Sequence, residues 1–179
     1  RFDIIFVGLP APQELQTNRL FSSEFFSMAK EKMNPDGIIV FTLPGSMTYL
    51  SPELRDLNGC ILDTLKGVFR SVRIIPGDVN LYLASNSDQL EKVATAEIIK
   101  RFEVRKVQTS LLTKSYLEFR LHERWMKWFL QSMERKGTQI NSDLRPIGVF
   151  LSLSYWNALF SPYLTGIFKW FEGFSLQIS

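Results

Sequence analysis

The sequence predicts an α/β protein: a doubly wound sheet with an antiparallel edge hairpin, followed by an α-helical extension. Three observations predict it. Short apolar runs at Phe2–Val7 and Ile38–Phe41 are ended by Gly and Pro, the pattern of strands buried on both faces. Helical patterns follow each run, so the order is strand, helix, strand, helix. Then Val72–Ile75 and Leu81–Ala84 are separated only by a Pro76-Gly77-Asp78 turn, and a connection that short pairs strands antiparallel.

The first strand runs straight into Gly8-Leu9-Pro10-Ala11-Pro12. Ligands of open α/β sheets sit outside the carboxyl ends of such strands, so residues 8–12 are the first place to expect a site. The chain opens on this strand, and the sheet therefore reads as the second half of a domain whose first half is missing. The bare edge predicts self-association through the first strand, or dependence on the absent half. A polar stretch from Thr17-Asn18 leads to a helix over Ser22–Met33, capped by Ser22 or Ser23, with Phe25, Phe26, Ala29 and Met33 on one face. Asn34-Pro35-Asp36-Gly37 predicts a stop and turn. The second strand ends at Pro44-Gly45. Ser51-Pro52-Glu53 starts a helix, with Ser as cap and Pro at the first position. Its stripe of Leu54, Leu57, Ile61, Leu65 and Val68 carries it to the neighbourhood of Val68. A boundary near Asn86-Ser87-Asp88 divides the sheet domain, 1–87, from a basic helical extension, 88–146. There Gln89–Phe102 reads helical and Ser115–Arg135 as one or two amphipathic helices. Residues 147–179 read as aromatic juxtamembrane or capping helices.

Composition narrows the function classes. The 179 residues are 45% apolar and 22% charged, ordinary for a globular chain. A net charge of +3 with no binding motif argues against nucleic acid as a partner. The single cysteine, Cys60, permits no internal disulfide and reads as a small buried hydrophobe. Neither it, nor the lone His122, nor the acids show metal-ligand spacing, so no metal is expected. His122 reads as a solvated helix residue. The opening residues read as strand and not as a secretory leader. Basic residues concentrate between Lys100 and Lys136, a run suited to the anionic cytoplasmic face of a membrane. Ile147–Phe171 has the length of a bilayer span, about 20 residues, yet Ser152, Ser154, Asn157, Ser161, Pro162 and Lys169 interrupt it. Its Tyr and Trp content predicts an interfacial helix pair broken at Pro162; the alternative is a cap whose aromatics cover the sheet. The expected location is the cytoplasm or the cytoplasmic face of a membrane.

Several segments then join into one pattern: Phe2–Pro12, Gln16–Phe26, Asn34–Gly37, Leu43–Ser46, Tyr49–Leu54, and Ile75–Asp78 leading to Leu83-Ala84-Ser85. Asn141-Ser142-Asp143-Leu144-Arg145-Pro146 extends it, so that the pattern runs through residues 2–160. In this ordered set the chain resembles the spermidine synthase-like (polyamine aminopropyltransferase-like) family, particularly members fused to membrane-spanning segments. The resemblance implies a Rossmann-like, methyltransferase-type fold entered at its fourth strand. The family's glycine-rich nucleoside loop and ribose-binding acid would lie upstream, and no G-x-G-x-x-G occurs here. No cofactor is therefore expected in this chain. A longer protein containing it is expected to bind decarboxylated S-adenosylmethionine or a related nucleoside, with a polyamine or another small molecule beside it.

Aminopropyl transfer is attack by an amine on the carbon next to a sulfonium. A carboxylate base removes the amine's proton, and further carboxylates hold the ammonium groups. The resemblance implies a loop like Asp-Ser-Ser-Asp-Pro where this chain has Gly8, Leu9, Pro10, Ala11 and Pro12, so both acidic positions, Gly8 and Ala11, are empty. Losing a catalytic base costs roughly 10²–10⁴-fold in rate. The fold is thus implied more strongly than the reaction, and the alternative is a non-catalytic, membrane-associated binding or scaffolding module. Glu14 and Glu24 are the nearest acids; Glu24 reads as a complement to a helix start. The remaining candidates for a ligand wall are Asn18, which reads either as turn chemistry or as a ligand-orienting amide, and Ser46 and Tyr49 beyond the second strand.

Overall fold

The computed structural model describes residues 1–134 and 137–160. Four strands form one open mixed sheet in the order β1-β2-β4-β3. β1 (Phe2–Val7) pairs parallel with β2 (Met33–Pro44). β4 (Val79–Ser85) returns antiparallel beside β2, and β3 (Ser71–Ile75) lies outside it, antiparallel to β4. The expected hairpin is present, but its second strand lies inside the sheet and its first strand forms the edge. The crossover through α3 (Pro52–Val68) lands β3 one place beyond β2. The tight turn then folds β4 into the gap, where both of its edges find ladder partners.

Local chemistry sets the element ends. A short helix α1 (Leu15–Asn18) and a 3₁₀ turn at Arg19–Phe21 precede α2 (Ser23–Lys32), where the Ser22 hydroxyl accepts from the Phe25 N–H at 3.3 Å. The Ser51 hydroxyl does the same for Leu54 at 3.2 Å, with Pro52 at the first position of α3. At Asn34–Gly37 the helix stops as predicted. β2 is counted from Met33, but its register with β1 jumps from Phe2–Met33 to Ile4–Ile38, and a Cβ on Gly37 would lie 3.1 Å from the Met33 Cβ, so the chain turns back over these residues and the continuous ladder starts at Ile38.

α2 and α3 pack on the same sheet face. Phe41 is the hub: Phe26 stacks on it at 5.7 Å, Phe21 meets it edge-on at 5.4 Å, and Tyr82 lies parallel to it at 5.2 Å. Val7, Ile39, Leu43, Ile74 and Ala84 complete that face beneath Leu57, Ile61 and Leu65. The opposite face differs from expectation. β1 reads in sequence as buried on both faces, yet Phe2, Ile4 and Phe6 are 57, 66 and 67% exposed. Two crossovers advancing in one direction, both right-handed by the usual rule, put both helices on one face and none on the other.

The predicted helix at Gln89–Phe102 is two helices, α4 (Gln89–Lys92) and α5 (Thr95–Val104). Between them the Val93 carbonyl accepts from Arg73 Nη1 at 2.8 Å. α6 (Lys114–Arg120) and α7 (Glu123–Ser132) follow, and His122 caps α7 through Nδ1, which accepts from the Arg124 N–H at 3.2 Å. These helices cover the outer edge of β3, where Glu91 accepts from the Val72 N–H. α8 (Ile147–Phe160) lies against α3. Cys60 is fully buried, as predicted. No helix among the described residues is long and apolar enough to cross a membrane. The predicted break at Pro162 and the aromatic positions to Phe171 lie outside the described residues.

One buried polar cluster fixes the carboxyl end of the sheet. Asn58 on α3 donates to the Leu54 and Pro44 carbonyls at 2.8 and 3.1 Å. Its oxygen accepts from Asn80 at 3.0 Å and from the Tyr82 hydroxyl at 2.7 Å. Asn80 in turn accepts from the Gly77 N–H at 3.0 Å. Burial pushes the Tyr82 phenol well above its usual pKa, so it donates as a neutral hydroxyl. Urea denaturation should show Asn58→Leu as the costlier substitution, at about 1–3 kcal/mol for each group left unpaired. Tyr82→Phe, which removes one donor and keeps the ring stack, should cost only about 1 kcal/mol. Equal effects would mean that the network contributes no more than its packing.

Candidate functional site

Parallel pairing of β1 and β2 brings their carboxyl ends together, with Val7 beside Phe41 in register. The loops that follow, 8–14 and 44–50, therefore open on one rim of the sheet. In the first loop, Gly8 and Pro10 are exposed, Leu9 packs partly against the core, Ala11 is 4% exposed and Pro12 is buried. The two prolines fix their φ angles and offer no N–H, so the loop presents carbonyls and apolar surface.

The second loop is built around Ser46. Its hydroxyl accepts from the Thr48 and Tyr49 N–H groups at 3.3 and 3.2 Å and lies 3.3 Å from the Thr48 hydroxyl. This turn holds Tyr49 outward, 69% exposed. Beneath it, the Gly45 N–H donates to the Asp78 carbonyl at 2.9 Å. A Cβ at Gly45 would collide with the Gly77 carbonyl and the Asn80 amide, which is why glycine stands there. From the other side, Arg120 on α6 donates to the Pro76 carbonyl and approaches Met47 Sδ to 3.9 Å. The loop bearing Ser46 and Tyr49 is thus braced by the buried asparagines below and by the helical extension beside it.

Asn18 stands elsewhere. It is 1% exposed, and its Oδ1 sits 2.8 Å from where a Cβ on Gly148 would be, under the first turn of α8. It takes part in the packing of α8. Nearby, Asn141 ties the extension to the sheet domain. Its N–H donates to Thr64 at 2.9 Å, its amide donates to the Phe21 carbonyl at 3.0 Å, and its Oδ1 accepts from the Gly148 N–H at 2.9 Å. Sequence reasoning missed Asn58, Asn80, Arg120 and Asn141 as positioning residues. For Asn58 a signal existed, since it falls beside the apolar stripe of α3 where a solvated amide has no place.

The rim is poor in ionisable groups. Glu14 is exposed, and Glu24 is engaged away from both loops, its Oε2 accepting from the Ser23 hydroxyl and the Asp143 N–H, each at 3.1 Å. Burial alone would raise the Glu24 pKa, but hydrogen bonds from its own backbone, from Asp143 and from Ser23 outweigh that and hold it below the usual range. Among the described residues no cluster of His, Cys, Asp and Glu suits a metal ion. Residues 8–12 and 44–50 can therefore bind by shape, apolar contact, carbonyl oxygens, hydroxyls and the Tyr49 phenol, and the carboxylate of the first loop is Glu14 at its far end, beside α1. The chain matches no protein-family model and no curated protein.

A pH response follows from Glu24. The carboxylate's contact with the Asp143 N–H is fully present above the ordinary glutamate pKa, about 4.3. It is lost as pH falls through the depressed folded value. Hydrogen exchange at the Asp143 amide, corrected for intrinsic rate, should accelerate on that acidification. In Glu24→Gln the acceleration should vanish; its persistence would assign the response to another group.

Proposed function

We propose that residues 8–12 and 44–50 form the acceptor-side wall of a ligand cleft in a spermidine synthase-like, Rossmann-type domain, and that this wall binds ligand without catalysing aminopropyl transfer. The observation carrying this reading is the pairing of two ligand-side loops at the carboxyl ends of adjacent parallel strands, with neither a carboxylate nor an imidazole at residues 8–12 or 44–50. The insertion of β4 antiparallel between β2 and β3 accords with a methyltransferase-type half-sheet. A cationic amine would meet the Tyr49 ring face and the carbonyls of Gly8–Ala11, contacts suited to an ammonium group without a proton acceptor. The nucleoside would be held by the other half of the domain.

A second reading, a non-catalytic, membrane-associated scaffold that keeps the fold, is favoured by apolar exposure on α8, at Phe150 near its start and at Leu159 and Phe160 at its end.

Calorimetric titration of the longest natural polypeptide containing these residues separates the two. Methylthioadenosine, decarboxylated S-adenosylmethionine and putrescine should each bind, with putrescine weakened by Tyr49→Ala. Silence from all three would overturn the ligand-wall reading in favour of the scaffold. The two empty acidic positions also differ in a measurable way. Gly8 is exposed, and a Cβ there meets only the movable Phe6 ring at 3.0 Å, so Gly8→Asp should leave thermal stability nearly unchanged. Ala11→Asp would bury a carboxylate and should cost on the order of several kcal/mol.

A further inference from the structure

We infer that the groove between α5 and α6 is a binding site for an aromatic α-amino acid, with Lys100 on the ligand's carboxylate and Glu118 on its ammonium group. The inference stands on the helical extension alone and does not depend on the ligand reading of residues 8–12 and 44–50.

Two antiparallel helices, tied together at both ends, build the groove. At one end the Thr95 hydroxyl donates to the Leu121 carbonyl at 2.9 Å, and at the other Lys114 Nζ lies 3.4 Å from Glu103 Oε1. Between the ties is a cavity of about 530 Å³, within the size range of small-molecule sites. Ala96, Ile99, Lys100 and Glu103 line it from α5, at the spacing of one helix face. Lys114 and Glu118, four residues apart, line it from α6. Ile99 is buried and gives the groove an apolar floor.

Charge selects the ligand's head. Of the charged side chains lining the cavity, Glu103 is paired with Lys114, and Glu123 with Lys127 at 3.8 Å. Lys100 and Glu118 are left, with no ion-pair partner within 4.0 Å among the described residues. Counted from the Glu103–Lys114 tie, Lys100 stands about 4.5 Å along α5 and Glu118 about 6 Å along α6, nearly level with one another. Opposite charges that line one groove yet stand too far apart to pair are complementary to a ligand bearing both signs on neighbouring atoms. A lone carboxylate would meet Lys100 and leave Glu118 unmatched, and a lone amine would do the reverse.

The rest of the groove selects the side chain. From the level of Glu118 to the Thr95 end it continues for about 6 Å over Ile99 and Ala96, the reach of one aromatic side chain. His122 lines that end, its ring held by the bond that Nδ1 accepts from the Arg124 N–H. A flat ring can pack on Ile99 and meet the imidazole edge-on or offset, a contact an aliphatic side chain cannot make.

Calorimetric titration of the longest natural polypeptide containing these residues tests the assignment, with L-phenylalanine, 3-phenylpropionate, phenethylamine and L-alanine as probes. Phenylalanine should bind saturably, at least about fivefold tighter than each of the other three. Lys100→Ala should erase its advantage over phenethylamine, and Glu118→Gln its advantage over phenylpropionate. Both side chains are exposed, so neither change should move the thermal midpoint. Absence of saturable phenylalanine binding would overturn the inference. So would phenethylamine or phenylpropionate binding as tightly as phenylalanine, which would leave a site for one charge only. Alanine binding as tightly would remove the aromatic side chain from the assignment and overturn it too. Selectivity unchanged in both variants would place the binding elsewhere and overturn it likewise.

Discussion

The handedness of two strand crossovers governs most of this structure. From β1 to β2 and from β2 to β3 the chain advances in the same direction across the sheet, so α2 and α3 fall on one face. The aromatic centre follows on that face, where Phe21 of the 3₁₀ turn and Phe26 of α2 meet Phe41 and Tyr82 of the sheet. The bareness of Phe2, Ile4 and Phe6 follows as well. A parallel strand pair with one face uncovered is unusual for α/β proteins, whose sheets are ordinarily covered on both sides. The apolar side chains Phe2, Ile4 and Phe6 of β1 are thus left more than half exposed.

At the carboxyl end of the sheet, packing gives way to hydrogen bonding. Asn58, Asn80 and Tyr82 are buried polar groups that satisfy one another and the Pro44 carbonyl. Their joint effect is positional. They hold Gly45 against the turn at Gly77, and the strand-to-loop exit at residues 44–46 has little freedom left. Arg120 reaches the same turn from the helical extension, and Asn141 links the extension back to α2 and α3. The extension is therefore part of what shapes the rim and cannot be treated as a detachable tail. A buried network of this kind costs little when complete and much when one member is removed, because the remaining groups lose water without regaining a partner.

The chemistry of the rim follows from what stands on it. A base must be able to take a proton and an ammonium site must offer charge, and the loops 8–12 and 44–50 offer carbonyls, the Ser46 hydroxyl already engaged as an acceptor, the Thr48 hydroxyl beside it, and a phenol. The burial of Ala11 adds a steric reason. Its side chain faces the core, so an acid at that position in this backbone would point away from any ligand at the rim.

Read alone, the sequence was legible wherever the deciding interaction is local. Ser22 and Ser51 as caps, Pro52 at a helix start, the antiparallel hairpin at Pro76–Asp78 and the burial of Cys60 all depend on neighbours within a few residues, or on bulk hydrophobicity. The parallel pair with its two loops was legible too, because apolar runs ended by Gly and Pro carry their own punctuation. What only the tertiary structure decided involves partners far apart in the chain. β1 pairs on both sides of Asn34–Gly37, with Met33 before it and from Ile38 after it, and so places that turn inside the span of β2. β4 entered the sheet because a crossover had left a gap there. Asn18 was drawn under α8, whose glycine lies far along the chain at position 148. The exposure of Phe2, Ile4 and Phe6 was the furthest from local control. A side chain's pattern along a strand fixes which face it points to, but whether that face is covered depends on which way the following crossovers turn.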